Sequence, residues 1–180
     1  MPRLLPDLLT TRRLILRAPR MDDAATLFQR YTQDAAVARY MVWRPHTALS
    51  QAEGFLAGCL QDWDTGKRQA YVLALAETPQ EAIGMVDARP AGGTVDLGYV
   101  LARSHWGAGL MPEAVEAVAA AALVRPGGFR VQATCDVDNR ASARTLEKAG
   151  FSREGRLERL TVHPDLGSEP RACFMYARCR

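Results

Sequence analysis

The stretch Ser104–Val124, SHWGAGLMPEAVEAVAAAALV, decides how this 180-residue chain is read. An aromatic loop with two glycines runs into alanines and valines. Pro112 suits the first position of a helix, where its missing N–H is not needed, so a helix is expected from Pro112 to about Val124. Arg125-Pro126-Gly127-Gly128 ends it. Trp106, Gly107, Ala108, Gly109, Leu110 and Met111 then lie at the helix mouth. There backbone N–H groups lack partners and the helix dipole adds partial positive charge. The two glycines remove side chains that would hold an anion away from those groups, and Arg103 and His105 add cationic donors. The chemistry suits a diphosphate. Glu113, in the first turn, competes for the same dipole unless it points elsewhere. Alone, the segment reads more simply as a flexible joint before a buried helix, with Trp106 packing. No Lys-Ser or Lys-Thr follows the glycines, which excludes a P-loop, and the third glycine of a dinucleotide fingerprint is absent.

A second segment, DVDNRASARTLEKAGF (Asp136–Phe151), places Asn139 as the N-cap of a helix closed by Gly150, with Ser142 one turn in on the same side. Taken alone it is ordinary capping with a helical serine.

Outward from these two, Arg12–Pro19 alternates apolar and basic residues as a half-buried strand does. Helical spacing follows from Met21, with Asp22 or Asp23 as N-cap. Ser50-Gln51-Ala52-Glu53 reads as a capping box opening a helix to about Trp63. Gln69–Glu77, Ala82–Arg89 and Thr94–Ala102 read as strands joined by the turn-like TPQE and PAGG, an antiparallel meander. FRVQATCDV is a further strand, and two more close the chain around HPDLGSEP. The expected fold is α/β (α+β): one domain over residues 1–180, with a mixed, mostly antiparallel sheet of six to seven strands and helices on both faces.

Composition narrows the function classes. Twenty-three Lys and Arg against 20 Asp and Glu give a net charge of only +3, too mild for a nucleic-acid binder. The four cysteines form no Cys-x-x-Cys pair and the three histidines do not cluster with them, so no metal is expected. No apolar run reaches membrane length, and MPRLLPDLLTTRR lacks the order of a signal peptide. The expected setting is cytoplasmic and away from membranes.

Together, TVDLGYVLARSHWGAGLMPEAV and DVDNRASARTLEKAGFSREGRL resemble the GNAT superfamily of acyl-CoA-dependent N-acyltransferases, and within it the RimJ/RimL-like branch of ribosomal-protein N-terminal acetyltransferases. TTRRLILRAPRMDDAATLF resembles that branch's first strand and helix. The resemblance implies that acetyl-CoA is the co-substrate, its pyrophosphate gripped by backbone N–H groups of Trp106–Met111. The family pattern (Arg or Gln, any, any, Gly, any, Gly or Ala) is met at Gly109 and departed from at Trp106 and Met111. Tyr99, Val100 and Leu101 would offer a strand edge to the pantetheine arm, and Asn139 would hydrogen-bond that arm. Ser142 would lie by the thioester sulfur. A homodimer is compatible with the resemblance.

The implied reaction passes the acetyl group to a primary amine, of a small molecule or a protein N-terminus, by direct attack in a ternary complex. In many relatives a tyrosine protonates the leaving thiolate; its place here is Leu146, so Ser142 is the expected donor. The oxyanion donor is expected to be a backbone N–H near Val100 and Leu101. A glutamate used as base by some relatives falls at Thr134, which leaves Asp136, Asp96 or a held water. An α-amine, with a reference pKa of about 8, is easier to deprotonate unaided than a lysine at about 10. Cys135 has no histidine placed to activate it and reads as a buried strand residue. The alternative to an enzyme is a non-catalytic acyl-CoA-binding module on the same fold; a nucleotide-phosphate binder using the helix mouth alone is a third reading.

Overall fold

The computed structural model describes residues 5–180. The expectation about a signal peptide rests partly on residues 1–4, which lie outside the described residues.

The sheet has eight strands: β1 (Leu8–Thr10), β2 (Leu14–Arg17), β3 (Gln69–Leu75), β4 (Thr78–Ala91), β5 (Thr94–Leu101), β6 (Arg130–Asp136), β7 (Ser152–Thr161) and β8 (Arg171–Cys179). Their order is β1-β2-β3-β4-β5-β6-β8-β7, and among the described residues only β5 and β6 run parallel. The sequence led us to expect six to seven strands. The added one is β1, three residues that pair with β2 at the sheet edge and are too short to carry an alternation signal. TPQE, expected as a turn, belongs to β4 instead, because the tight reversal occurs at Ala76-Glu77.

Among the described residues five α-helices cover the sheet: α1 (Asp23–Leu27), α2 (Ala35–Ala38), α3 (Leu49–Thr65), α4 (Leu110–Val124) and α5 (Arg140–Lys148). A π turn, Phe28–Thr32, follows α1 directly. The capping box of α3 is shifted from the expected Ser50. Gln51 Oε1 accepts from the backbone N–H groups of Thr47 and Ala48, so Ala48 is the N-cap. Gly66, in a left-handed conformation at φ 72°, closes that helix.

The sheet separates two apolar cores. On one face α4 lies against Val86, Val95 and Val131, and its Ala114, Ala119 and Ala122 let the helix approach closely. On the other, α1 and α3 bury Leu27, Leu56 and Cys59 against Val72 and Met85. Burying a side chain such as Leu56 contributes about 2 kcal/mol. β3 is buried along nearly its whole length, and after Gln69 its residues Ala70–Leu75 run apolar rather than alternating.

One irregularity matters most for function. β5 and β6 pair only from Thr94 to Asp96 with Arg130 to Gln132. Beyond those three rungs the strands part.

Candidate active site

The helix mouth sits beside this gap. α4 begins at Leu110 with Gly109 as N-cap, two residues before the expected start at Pro112. Pro112 is therefore the third helical residue, still inside the first turn, where its missing N–H has no intrahelical acceptor to lose. Gly107 and Gly109 both have positive φ, 77° and 71°, which an L side chain adopts only with strain. Neither would meet backbone if given a Cβ, so these glycines are set by conformation and not by crowding.

Arg13 fixes the loop in place. Its guanidinium donates to the carbonyls of Ala108 (2.8 Å) and Gly109 (3.0 Å), and its Nε donates to Glu113 Oε2 at 2.7 Å. Glu113 Oε1 accepts from the Thr11 hydroxyl and the Arg13 backbone N–H. Glu113 thus points away from the mouth, and its competition with a bound anion is removed. Burial pushes its carboxyl up, but the bonds from Thr11 and Arg13 outweigh this and hold it below the usual range. The Trp106 indole donates to the Leu101 carbonyl at 2.8 Å, tying the loop to the end of β5.

The cationic donors differ from those expected. Arg103 is paired with Asp34 at 2.8 Å, and burial lowers the His105 pKa, so that ring is neutral at pH 7. Arg39, Arg144 and Lys148 line the cleft instead.

Two clefts meet at the parting of β5 and β6. The larger, about 790 Å³, runs from the helix mouth along Gly107–Pro112 to α5. The smaller, about 380 Å³, opens on the α3 side between Trp43, Phe55, Asp87 and His163. Tyr40, Met41, Tyr99, Val100, Asn139 and Ser142 line both.

At the junction Asn139 caps α5, its Oδ1 accepting from the Ser142 N–H at 3.2 Å. The Ser142 hydroxyl lies 2.7 Å from the Tyr99 hydroxyl. Burial drives the Tyr99 pKa well above the ordinary phenol value, so this hydroxyl is a proton-bearing group at all physiological pH. Sequence reading assigned Tyr99 a backbone role and missed its side chain. Leu146, at the family's tyrosine place, is fully buried. The phenol that reaches Ser142 is that of Tyr99, on β5.

The backbone of β5 alternates in direction. The Val100 carbonyl faces Gly84 on β4, whereas that of Leu101 faces the indole of Trp106. By this alternation the N–H groups of Tyr99 and Leu101, not that of Val100, point along the open edge.

The two carboxylates considered as bases are both engaged. Asp136 is 1% exposed. It accepts from Arg171 Nε at 2.6 Å and from the Asp138 N–H at 2.9 Å, with His163 Nε2 at 3.5 Å. Burial raises its pKa, but Arg171 more than offsets that and holds it below the usual range. Asp96 is bound to Arg89 at 2.5 Å and sits where β5 and β6 are still paired, before the gap. Both serve ion pairs. The Cys135 thiol is buried and pushed up to about 11 by desolvation, against the opposing bond with Ser142.

Among the described residues no group of three His, Cys, Asp or Glu could hold a metal, and no helix is long and apolar enough to cross a membrane.

Residues 13–152 match the family model for an acetyltransferase (GNAT) domain. The chain is 31% identical over 156 residues to the N-acetyltransferase p20 of Bacillus licheniformis, covering 84% of this chain and 85% of that protein. It is 28% identical to the N-acetyltransferase YoaA of Bacillus subtilis, over 83% of this chain and 85% of that one. Solved structures share the fold at lower identity. The microcin C7 self-immunity acetyltransferase MccE, in complex with acetyl-CoA and AMP, superposes with a TM-score of 0.85 at 20% identity, covering 98% of each chain. RimL, the ribosomal L7/L12 α-N-protein acetyltransferase in complex with coenzyme A, does so with 0.83 at 21%, covering 96% of this chain and 97% of its own. The chain belongs to the GNAT acetyltransferase family and is an acyl-CoA-dependent acetyltransferase.

Proposed function

We propose that this enzyme transfers the acetyl group of acetyl-CoA to a primary amine, a protein N-terminus or a small molecule, by direct attack while both substrates are bound. The observation that carries this reading is the meeting of two clefts at the parted strands. The larger has a cationic rim and a glycine-shaped helix mouth, and the Tyr99–Ser142 hydroxyl pair lies at the junction.

The donor fits the larger cleft. Its pyrophosphate lies against the N–H groups of Gly107 to Met111, which the Arg13 bonds hold in position. The pantetheine amides pair with the open edge of β5 at Tyr99 and Leu101, and Asn139 contributes its side chain from the α5 cap. The acceptor enters from the α3 side. Its neutral nitrogen attacks the thioester carbonyl, and one of these two β5 N–H groups stabilises the oxyanion while the other holds the pantetheine. As the C–S bond breaks, Ser142 gives its proton to the sulfur while the Tyr99 hydroxyl supports it by hydrogen bonding, and the proton the attacking nitrogen loses on becoming an amide restores Ser142. The relatives that act on ribosomal-protein N-termini favour an α-amine acceptor, whose lower basicity suits a site of this kind.

The test is free-thiol release from acetyl-CoA with a panel of α-amino peptides and small primary amines. Amine-dependent release with a matched acetylated product is expected. Tight CoA binding with no transfer to any amine would instead mark a binding module, and stabilisation by ATP as strong as by CoA a phosphate binder.

A further inference from the structure

The reaction needs a group to take the proton that the acceptor amine loses, and both aspartates considered from the sequence are committed elsewhere. The smaller cleft holds a third. Asp87 lies on β4, opposite Gly98 of β5 in the sheet register, on the face covered by α3. It is the centre of a ladder of alternating charge. Asp62 on α3 pairs with Arg68 at 3.0 Å, and Arg68 approaches Asp87 at 3.7 Å. Arg89 joins Asp87 at 2.6 Å to Asp96 at 2.5 Å. Lys67 also pairs with Asp62, at 3.8 Å, so the three carboxylates of the ladder face three cations.

One oxygen of the ladder nevertheless lacks a hydrogen bond, and its nearest cation, the Nε of Arg68, stands 3.7 Å away. Asp87 Oδ2 accepts from Arg89, but Oδ1 is buried and has no hydrogen-bond donor among the described residues. A buried carboxylate oxygen without a donor is costly unless something else fills that role. Gly98 makes the arrangement possible. A Cβ there would stand 3.2 Å from the Arg89 guanidinium, which crosses β5 at that point to reach Asp96. With no side chain at Gly98, the Arg89 guanidinium packs there against Asp87 Oδ2, and the Asp87 side chain forms part of the wall of the smaller cleft. From Asp87 to the level of Val100 is two residues along the sheet, roughly 7 Å at the usual strand rise. An acceptor nitrogen poised over the thioester therefore lies within reach of Oδ1 directly or through one water.

We infer that Asp87 is the general base, taking the proton from the acceptor ammonium at Oδ1 while Arg89 holds Oδ2. This rests on the acetyl-transfer reading above. The step balances as follows. The ammonium gives one proton to Asp87, and the freed electron pair forms the N–C bond to the acetyl carbon. The C–S bond breaks, the thiolate takes its proton from Ser142, and the second proton of the attacking nitrogen, lost as the neutral amide forms, restores the Ser142–Tyr99 pair. Asp87 then releases its proton to solvent through the cleft mouth. Burial raises the Asp87 pKa, with Arg89 and Arg68 opposing and Asp62 assisting, which brings the carboxyl towards the range useful for a base.

The experiment compares Asp87→Asn and Asp87→Glu with wild type across pH 5.5 to 9.5, using whichever amine of the panel the wild type acetylates fastest. Asp87→Asn is expected to lower kcat by about 10²–10³-fold near pH 7. The deficit narrows as pH rises through the amine's own pKa, and CoA affinity by calorimetry stays within about threefold. Asp87→Glu keeps part of the rate with a displaced acid limb. Replacing the acceptor by an analogue already neutral at the assay pH shrinks the Asn deficit. An Asn variant that keeps pace at pH 6.5 overturns the inference, as does a deficit that is constant across pH and matched by lost CoA binding. If the Asn variant does not fold, an unmoved acid limb in the Glu variant overturns it. A wild type that acetylates no amine overturns the acetyl-transfer reading and this inference with it; the other outcomes bear on Asp87 alone.

Discussion

The hydroxyls of Tyr99 and Ser142 meet at 2.7 Å where β5 and β6 part, one from a strand and one from the first turn of a helix. Neither is a strong acid, but burial keeps the Tyr99 proton in place and the pair points at the junction of both clefts. Ser142→Ala is expected to lower kcat at saturating acetyl-CoA by about 10²-fold, the scale of a lost proton donor. Tyr99→Phe, which removes one supporting hydrogen bond, should cost about tenfold. Unchanged turnover in Ser142→Ala would withdraw the donor role from this serine.

Gly109→Ala asks an alanine to sit at φ 71°, for about 1–2 kcal/mol. No clash accompanies it, since the nearest atom to the new Cβ is the Arg13 guanidinium at 3.6 Å. The strain falls on the helix mouth, so the KM for acetyl-CoA should rise several-fold while kcat changes little. Steady-state kinetics with varied acetyl-CoA checks this.

Arg13→Ala should act at the same place from the opposite side of the loop. It frees the carbonyls of Ala108 and Gly109 and leaves Glu113 able to turn towards the mouth. A larger rise in KM for acetyl-CoA than in Gly109→Ala is expected. Lysine should not restore the wild-type value, because a single ammonium cannot span two carbonyls and a carboxylate as the planar fork does.

Two carboxyls, Glu113 and Asp136, are held below their ordinary pKa in the folded protein. A group depressed on folding stabilises above its unfolded pKa, and that contribution disappears as pH falls through the folded value. The urea midpoint should therefore hold from pH 7 to about 5 and then fall steeply towards pH 3. Arg171→Ala should lower the midpoint at pH 7 and flatten the acid part of the curve, because Asp136 then loses its main partner. A profile in that variant that still parallels the wild type would contradict the assignment.

Cys135 offers the most tempting nucleophile, and its surroundings argue against it. With the thiol pushed up to about 11, almost none is thiolate at neutral pH. Cys135→Ala should retain transfer activity, and intact-protein mass spectrometry should find no acetyl adduct on the wild type incubated with acetyl-CoA alone.

Much of this architecture could be read from local signals. The helix mouth, the Asn139 cap and the meander each depend on residues within a few positions of one another, where propensity and capping rules operate. What escaped reading depends on pairs brought together only by the sheet. Arg13 and Glu113 are 100 residues apart, and nothing near Arg13 marks it as the staple of a distant loop. Tyr99 alternates correctly for an inward strand residue, but alternation does not say that Ser142 waits opposite. Asp87 did carry a signal: a lone carboxylate in the otherwise apolar run Ala82–Ala88, where a buried charge requires a reason. Asp96 and Asp136 drew attention by their positions near strand ends, and arginines from other strands claim both.

The parting of β5 from β6 has a consequence for how the molecule responds to its donor. After three rungs the open edge of β5 leaves the amides of Tyr99 and Leu101 without a neighbouring strand in the interior of an eight-stranded sheet. A ligand with amides of its own completes that ladder as a ninth, borrowed strand. Hydrogen–deuterium exchange should therefore register arrival of the coenzyme at these two amides, and the gain in protection should spread to β6. The two halves of the sheet joined by those three rungs would then open as one unit instead of two.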